Sequence, residues 1–353
     1  MNRIEDRDTE AMSLRKGVPG PAREGGEARG WAWRAHEDGV YEIHEYDRMP
    51  PFASFLPGVA GLRGAPLWCM YVNRGQAVCS FGYEDKDHSI GEFFSATWAY
   101  QLAGLYGFRT FIQDRNGPFF EPFASHSPHG EAGQRILRIE PHAVSLSDEN
   151  TEAKWHTEVE YCAVTESSVP ALCRKVRITN LAARARSIRL ADGLPVIIPA
   201  GVSDFALKRM RRITEGFIRV ASHGSGAAVF VVPTTMKDEA RIEAVEEAVF
   251  YGAWLQGKSG AEPMALAVDP DAFFGQGSNL LRPEAFLDGM FDSEDQVWMN
   301  RLPCAFALAD FEIGPEETIE LIAYAGLARN SRMLDDFAPV FCTARAQCAV
   351  ERN

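Results

Sequence analysis

The chain has 353 residues, 46% of them hydrophobic, and a formal net charge of −13. That length buries a sizeable core, in one large β domain or in two domains, and the acidity argues against the basic face that a nucleic-acid partner requires. No apolar run reaches the length of a membrane span and the N-terminus has no apolar signal-peptide core, so no membrane partner is expected and the chain reads as cytoplasmic.

Residues 1–30 hold six basic and six acidic side chains, much glycine and almost no large apolar residue. Such a segment cannot bury enough surface to offset its ordering entropy and reads as a disordered leader. Order begins near Trp31 and Trp33, and Tyr41-Glu42-Ile43-His44 reads as a short alternating strand. Met49-Pro50-Pro51-Phe52 and Leu56-Pro57-Gly58 then make a rigid, non-helical connection.

Two apolar runs follow, 67–72 and 77–81, on either side of Asn73-Arg74-Gly75-Gln76. This is a tight hairpin turn in which Asn and Gly can supply the positive φ. Next comes a polar knot, Glu84-Asp85-Lys86-Asp87-His88, and then seven aromatic residues between Phe93 and Phe111. Fixed charges hemmed in by aromatic rings are a composition that holds sugars, the rings stacking while the polar groups bind hydroxyls. The plain alternative is a buried hairpin with a solvated loop. Glu84, Lys86, Asp87 and Glu92 are too polar for a core and lie beside Phe93 and Trp98. With Asn73, Arg74 and Arg109 they are expected to line a pocket or an interface. Arg109 stands out, because a guanidinium among Tyr106, Phe108 and Phe111 can stack and still pair with a carboxylate.

From residue 135 onward the chain is a procession of strands. Segments 135–140 and 143–146 flank Pro141. Residues 155–164 alternate with Trp155, Thr157, Val159 and Tyr161 on one face. In 171–179, Leu172, Arg174, Val176 and Ile178 oppose Cys173, Lys175, Arg177 and Thr179. Further strands are expected at 187–190, 194–198, 217–221, 227–232, 241–250 and 264–268. At 304–311 and 318–325 two strands flank Ile313-Gly314-Pro315-Glu316, which reads as a hairpin turn. Short strands at this spacing predict an all-β fold, a large antiparallel β-sandwich. Helical signals are few: one or two turns over 283–289, and a C-terminal tail, 329–353. In that tail Met333, Leu334, Phe337, Val340 and Phe341 recur at helical spacing and Pro339 interrupts them. So apolar a tail predicts either folding back on the sandwich or self-association as a homodimer. The seven cysteines show no metal-ligand spacing. Cys69, Cys79, Cys162, Cys173 and Cys304 sit in apolar runs and read as reduced core residues.

His126 and His129 form a HxxH pair without a recognisable third ligand, so a polar loop is the better reading and no metal is expected. His156 and His223, with Glu158 or Glu160, offer acid–base chemistry for a sugar epimerase if they share a cleft. Nucleophile-elbow, phosphate-loop and dinucleotide fingerprints are missing, and no cofactor is expected. Lys208-Arg209-Met210-Arg211-Arg212 reads as a solvated face, with an anion or subunit contact as the alternative.

The run PLWCMYVNRGQAVCSFGYEDKDHSIGEFFSATWAYQLAGLYGFRTFI resembles the amino-terminal region of glycoside phosphorylases, the cellobiose-phosphorylase-like proteins of glycoside hydrolase family 94 and relatives. EVEYCAV, PALCRKVRITN, ADGLPVIIPAG, the 208–212 cluster and ITEGF are similar in kind, and the likeness covers roughly residues 41–328. The resemblance implies a galactose-mutarotase-like supersandwich, here over 31–328, followed by the start of a helical linker. In that family the general acid and the phosphate-binding residues lie in an (α/α)6 barrel, for which this sequence has no segment, so the resemblance carries over no catalytic residue. It implies a noncatalytic, carbohydrate-associated module that binds β-glucan-type oligosaccharide or pairs with a barrel-bearing partner chain. The alternatives are a free-standing sugar epimerase or lyase on the same sandwich, or an inert truncated fragment.

Overall fold

Alternation sets the layers. In Trp155–Val164, Trp155, Thr157, Val159 and Tyr161 are buried, while His156, Glu158 and Glu160 lie on the other face. This is the period of two that a strand with one core face requires. The structure is a computed structural model describing residues 23–25, 30–56, 58–61, 63–124, 133–165, 167–234, 243–257, 260–275, 280–330 and 332–335.

Among these residues a 12-stranded antiparallel sheet forms one layer. It runs from Arg23–Gly25 through Ala32–Ala35, Tyr41–His44, Gly133–Ile139, Ala143–Asn150, Trp155–Val164, Ala171–Asn180, Thr318–Ala328, Ala248–Gly257 and Ala228–Val231 to Arg219–Ser222. Gly260–Pro263 also pairs with Ala248–Gly257. Two five-stranded sheets make the second layer. One contains Arg109–Asp114, Arg186–Leu194 and Ala305–Ile313, flanked by Phe119–Phe120 and Ala265–Ala267. The other contains the hairpin Ala65–Val72 and Val78–Tyr83, with Ala53–Leu56, Val59–Ala60 and Ser89–Gly91. The chain is therefore an all-β antiparallel sandwich. Its main core lies between the layers, where Tyr161, Val176 and Leu321 meet Phe81, Phe108 and Leu190.

One polar network crosses that core. Arg174 donates to both carboxylate oxygens of Asp192, at 3.0 and 2.7 Å, and to Thr110, Gln76 and the Tyr161 hydroxyl. Thr110 also donates to Asp192 at 2.6 Å. The guanidinium lies over Phe108 at 4.9 Å. A buried ion pair is neutral or favourable only when its remaining hydrogen-bonding positions are filled, and here they are. Arg174 comes from the large sheet, Asp192 and Thr110 from one small sheet, and Gln76 from the hairpin turn of the other. The network thus pins three sheets in one register. The sequence placed Arg174 on the apolar face, and its burial follows from that placement.

Several elements differ from expectation. The segments 304–311 and 318–325 are not a hairpin: Ala305–Ile313 pairs with Arg186–Leu194 in a small sheet, whereas Thr318–Ala328 pairs with Ala171–Asn180 in the large one. The turn between them is an arch from layer to layer. It lies beside a second arch, from Asn180 to Arg186. Asn180 joins the two, its side chain donating to the Arg184, Ile313 and Gly314 carbonyls and its backbone exchanging hydrogen bonds with Glu316 and Glu317. Segments 187–190 and 194–198 are replaced by a single strand, Arg186–Leu194. Gly193 does not break it but lets the Ala305 carbonyl approach to where a Cβ would stand only 1.9 Å away. The strand expected at 241–250 is Ala248–Gly257. In the hairpin turn, positive φ falls on Gly75 and Ala77, not on Asn73.

The helix expected over 283–289 spans Glu284–Leu287. Helices Ala96–Tyr106, Asp204–Arg209, Arg211–Glu215 and Pro270–Phe274 were not expected. Ala99 and Ala103, one turn apart, bury Ala96–Tyr106 against Met70, Val72 and Cys79 on the outer face of the hairpin sheet. Cys69, Cys79, Cys173 and Cys304 are free and buried. Cys162 is disulfide-bonded, contrary to the reduced-core reading. It faces away from the sandwich core, into the outer cluster that contains Leu334 and Met333. Arg23–Gly25, inside the expected leader, pairs with Trp33–Ala35. Most of the expected tail, including Phe337, Val340 and Phe341, lies outside the described residues.

Candidate functional site

The polar knot is a rigid turn. Asp85 accepts from the Asp87 N–H at 2.9 Å and bonds the His88 ring at 2.8 Å, capping a single 3-10 turn over Lys86–His88. The His88 ring, with the Asp87 N–H, holds the Asp85 carboxyl below its ordinary value. Ser89 ties the turn down by donating to the Lys86 carbonyl at 2.7 Å.

That turn is aimed at the Asp204–Arg209 helix, whose start is capped by Ser203. Lys86 pairs with Asp204 at 3.3 Å, and Asp87 accepts from the Asp204 N–H at 2.9 Å. One helical turn on, Lys208 pairs with Asp204 at 2.6 Å and donates to the Phe93 carbonyl at 2.9 Å. Its ammonium also stands 5.4 Å from the centre of the Phe93 ring. Phe93 packs edge-to-face on Trp68 at 5.8 Å, and the Trp68 indole N–H donates to the Asp85 carbonyl at 3.0 Å. The contacts form a closed ring: Asp85, Trp68, Phe93, Lys208, Asp204, Lys86 and back to the turn. Each exposed pair is weak by itself, because solvent screens it. Together they hold charged groups and aromatic edges in fixed positions beside Glu92, a half-buried carboxyl. Trp98 and Phe205, 57% and 63% exposed, present apolar ring surface from the helices Ala96–Tyr106 and Asp204–Arg209. Aromatic faces beside immobilised donors and acceptors suit a ligand with alternating apolar and hydroxyl surface.

Of the residues expected to line a site, Lys86, Asp87 and Glu92 come together here, and Trp98 stands exposed in the first turn of the Ala96–Tyr106 helix. The others lie elsewhere. Asn73 is buried and donates to the Tyr46, Met49 and Pro50 carbonyls while accepting from the Phe52 N–H. Arg74 donates to the Met49 carbonyl. These two residues stitch the proline-rich connection to the hairpin. Arg109 is buried, lies over Phe111 at 4.6 Å, and pairs with both oxygens of Glu121 at 2.6 and 2.8 Å. It also donates to the Leu280 and Leu281 carbonyls. Glu84 is exposed at positive φ and borders a separate cleft.

In the basic cluster, Arg211 and Arg212 both pair with Glu215, at 2.9 and 3.2 Å. His156 lies 3.8 Å from Glu158 on the outer face of the large sheet, where the adjacent groove measures about 100 Å3. That is small beside the roughly 300 Å3 of ordinary ligand pockets. His223 pairs with Asp335, five strands away from the His156 strand, so the two histidines share no cleft. His126 and His129 lie outside the described residues. Among the described residues no group of three or more His, Cys, Asp or Glu side chains is arranged to hold a metal ion. Likewise, no helix there is long and apolar enough to cross a membrane.

Trp68, Asp204 and Phe205 were not singled out from the sequence. Trp68 was absorbed into an apolar run, although alternation puts it on the opposite face from Leu67 and Cys69. Ser203-Asp204 before an apolar residue is a helix-start signal that would have placed Asp204 and Lys208 on one face.

No family model matches the chain, and no curated protein matches its sequence. Among solved structures 49 chains match. One is a polysaccharide lyase, at a TM-score of 0.36 and 10% identity, over 78% of this chain and 34% of the lyase. This chain thus spans about a third of that protein's length. A likeness so distant assigns neither substrate nor residue roles.

Proposed function

We propose that the chain is a noncatalytic carbohydrate-binding module that takes a β-glucan-type oligosaccharide across the ring of contacts at Asp85–Phe93 and Asp204–Lys208. The supporting observation is that ring itself: Lys86, Asp204 and Lys208 are held in place by one another, and the Trp68–Phe93 pair sits at their edge. Phe205, next to Asp204 on the same helix, and the exposed Trp98 offer further aromatic surface. A sugar ring stacks on such faces through its C–H surface, while the charged groups bond its hydroxyls. The same surface would serve for pairing with a barrel-bearing chain, as the resemblance to glycoside phosphorylases implies.

Titration of the protein with cellotetraose, followed by tryptophan fluorescence and calorimetry, tests this. Binding is expected with a dissociation constant on the order of 1 mM. Trp68→Ala and Trp98→Ala are each expected to weaken it roughly threefold to tenfold. No binding, or binding indifferent to both substitutions, would remove the reading. Phosphate-dependent release of glucose 1-phosphate from cellobiose is expected to be absent, and turnover by the pure chain would reverse the noncatalytic part.

A further inference from the structure

A second cleft, of about 510 Å3, opens where the starts and ends of several strands meet at one end of the sandwich. Its walls come from both layers: Ala65 and Pro66 from the hairpin sheet, Pro170 and Leu327 from the large one. Ala60 and Met333 complete an apolar lining.

Three features in this cleft lack internal partners. Arg63 and Arg329 line it, both exposed, and neither guanidinium is engaged in an ion pair or hydrogen bond among the described residues. Tyr83 lines it too, 3% exposed, with a hydroxyl that is buried and makes no full hydrogen bond among the described residues. Burial pushes its phenol far up, opposed by the neighbouring Leu327 N–H, but that N–H already donates to the Pro170 carbonyl. A buried hydroxyl without an acceptor is costly, and a neutral phenol is a donor waiting for one. Glu84 stands on the rim at φ +56, a strained conformation for a residue with a side chain. Its exposed carboxylate is an acceptor for hydroxyls. Two cations and one anion leave the cleft with a net positive charge.

We propose that this cleft binds a small hydroxylated organic anion, a sugar acid or sugar phosphate of one ring, with Arg63 and Arg329 on the acid group. Tyr83, which lines the cleft, donates to the ligand, and Glu84 accepts from its hydroxyls. The proposal is independent of the oligosaccharide surface, since it uses none of the residues in the Asp85–Lys208 ring. The volume suits one pyranose with its acid group and leaves room for water.

Calorimetric titration with glucuronate, with glucose 6-phosphate and with glucose tests it. The charged source is identified by which of the two anions binds more tightly. Each anion is expected to bind at least tenfold more tightly than glucose, and the binding should weaken with added salt. The double variant Arg63→Gln, Arg329→Gln is expected to abolish that preference. Tyr83→Phe is expected to weaken anion binding roughly fivefold while leaving Tm unchanged or higher, because it removes a hydroxyl that the empty fold leaves unpaired. A merely structural Tyr83 would lower Tm and leave affinity alone. Failure of both anions to bind at about 10 mM, glucose binding as tightly as either, or affinity unmoved by the arginine double variant would each overturn the proposal. Trp68→Ala should leave this binding intact, so its failure is separable from that of the oligosaccharide reading.

Discussion

Glu92 carries a pH signature. Burial lifts its carboxyl above the ordinary glutamate value, with Lys208 and Arg211 opposing the shift and Asp204 adding to it. A value raised by folding means that the folded chain holds the proton more tightly than the unfolded one. The resulting stability is fully present below the unfolded value and is lost as pH rises through the folded one. At neutral pH the ionised carboxylate is therefore a cost, and Glu92→Gln is expected to raise Tm there while making little difference below about pH 4. Melting curves of both proteins across that range check the sign; parallel curves would contradict it. Glu92 was legible in the sequence because a carboxylate beside two phenylalanines is conspicuous. Arg109 was legible in its chemistry but not in its location. Stacking on Phe111 and pairing with a carboxylate follow from residue types, whereas the enclosure of that pair depends on Leu280 and Leu281, which are 171 and 172 residues away.

Among the elements, the two adjacent arches depend on one side chain. Asn180 is fully buried, and besides donating to three carbonyls it accepts from the Ala182 N–H at 3.0 Å. Asn180→Ala leaves those buried groups unpaired and is expected to cost about 2–4 kcal/mol, read as a lower denaturation midpoint in urea with an unchanged slope. Asn180→Asp should be no better, since a carboxylate cannot donate. A change below about 0.5 kcal/mol would show that the arches hold without it. Local pattern alone could not distinguish an arch from a hairpin here. Ile313-Gly314-Pro315-Glu316 has turn composition, and composition reports that the chain reverses, not which sheet receives it. The Ala96–Tyr106 helix was obscured because its apolar residues are mostly aromatic and small, a mixture that also fits strands, and only the Ala99–Ala103 spacing points to a helix.

For the molecule as a whole, the sandwich was legible because one face of each central strand is buried and alternation records that directly. The site was not, because its halves are far apart in the chain: Lys86 and Asp204 are separated by 118 residues. No local spacing encodes which turn will meet which helix. The disulfide at Cys162 was equally hidden, since a cysteine in an alternating strand has the same pattern whether or not it is oxidised.

The paired arches also bear on how the protein can be made. Ala171–Asn180 and Arg186–Leu194 leave the ribosome early and can pair at once with Trp155–Val164 and Arg109–Asp114, yet each gains its second neighbour only in Thr318–Ala328 and Ala305–Ile313, respectively. The interval is about 130 residues, roughly 7–27 s of translation. Throughout that time two long strands of the future sheet centres present open edges, the condition that favours aggregation. Folding of the sandwich therefore waits on its last strands. A chain released at residue 300 is expected to be protease-sensitive and to show no cooperative melt, whereas one released at residue 335 should fold. Cooperative unfolding of the shorter chain would show that the first strands can find another partner.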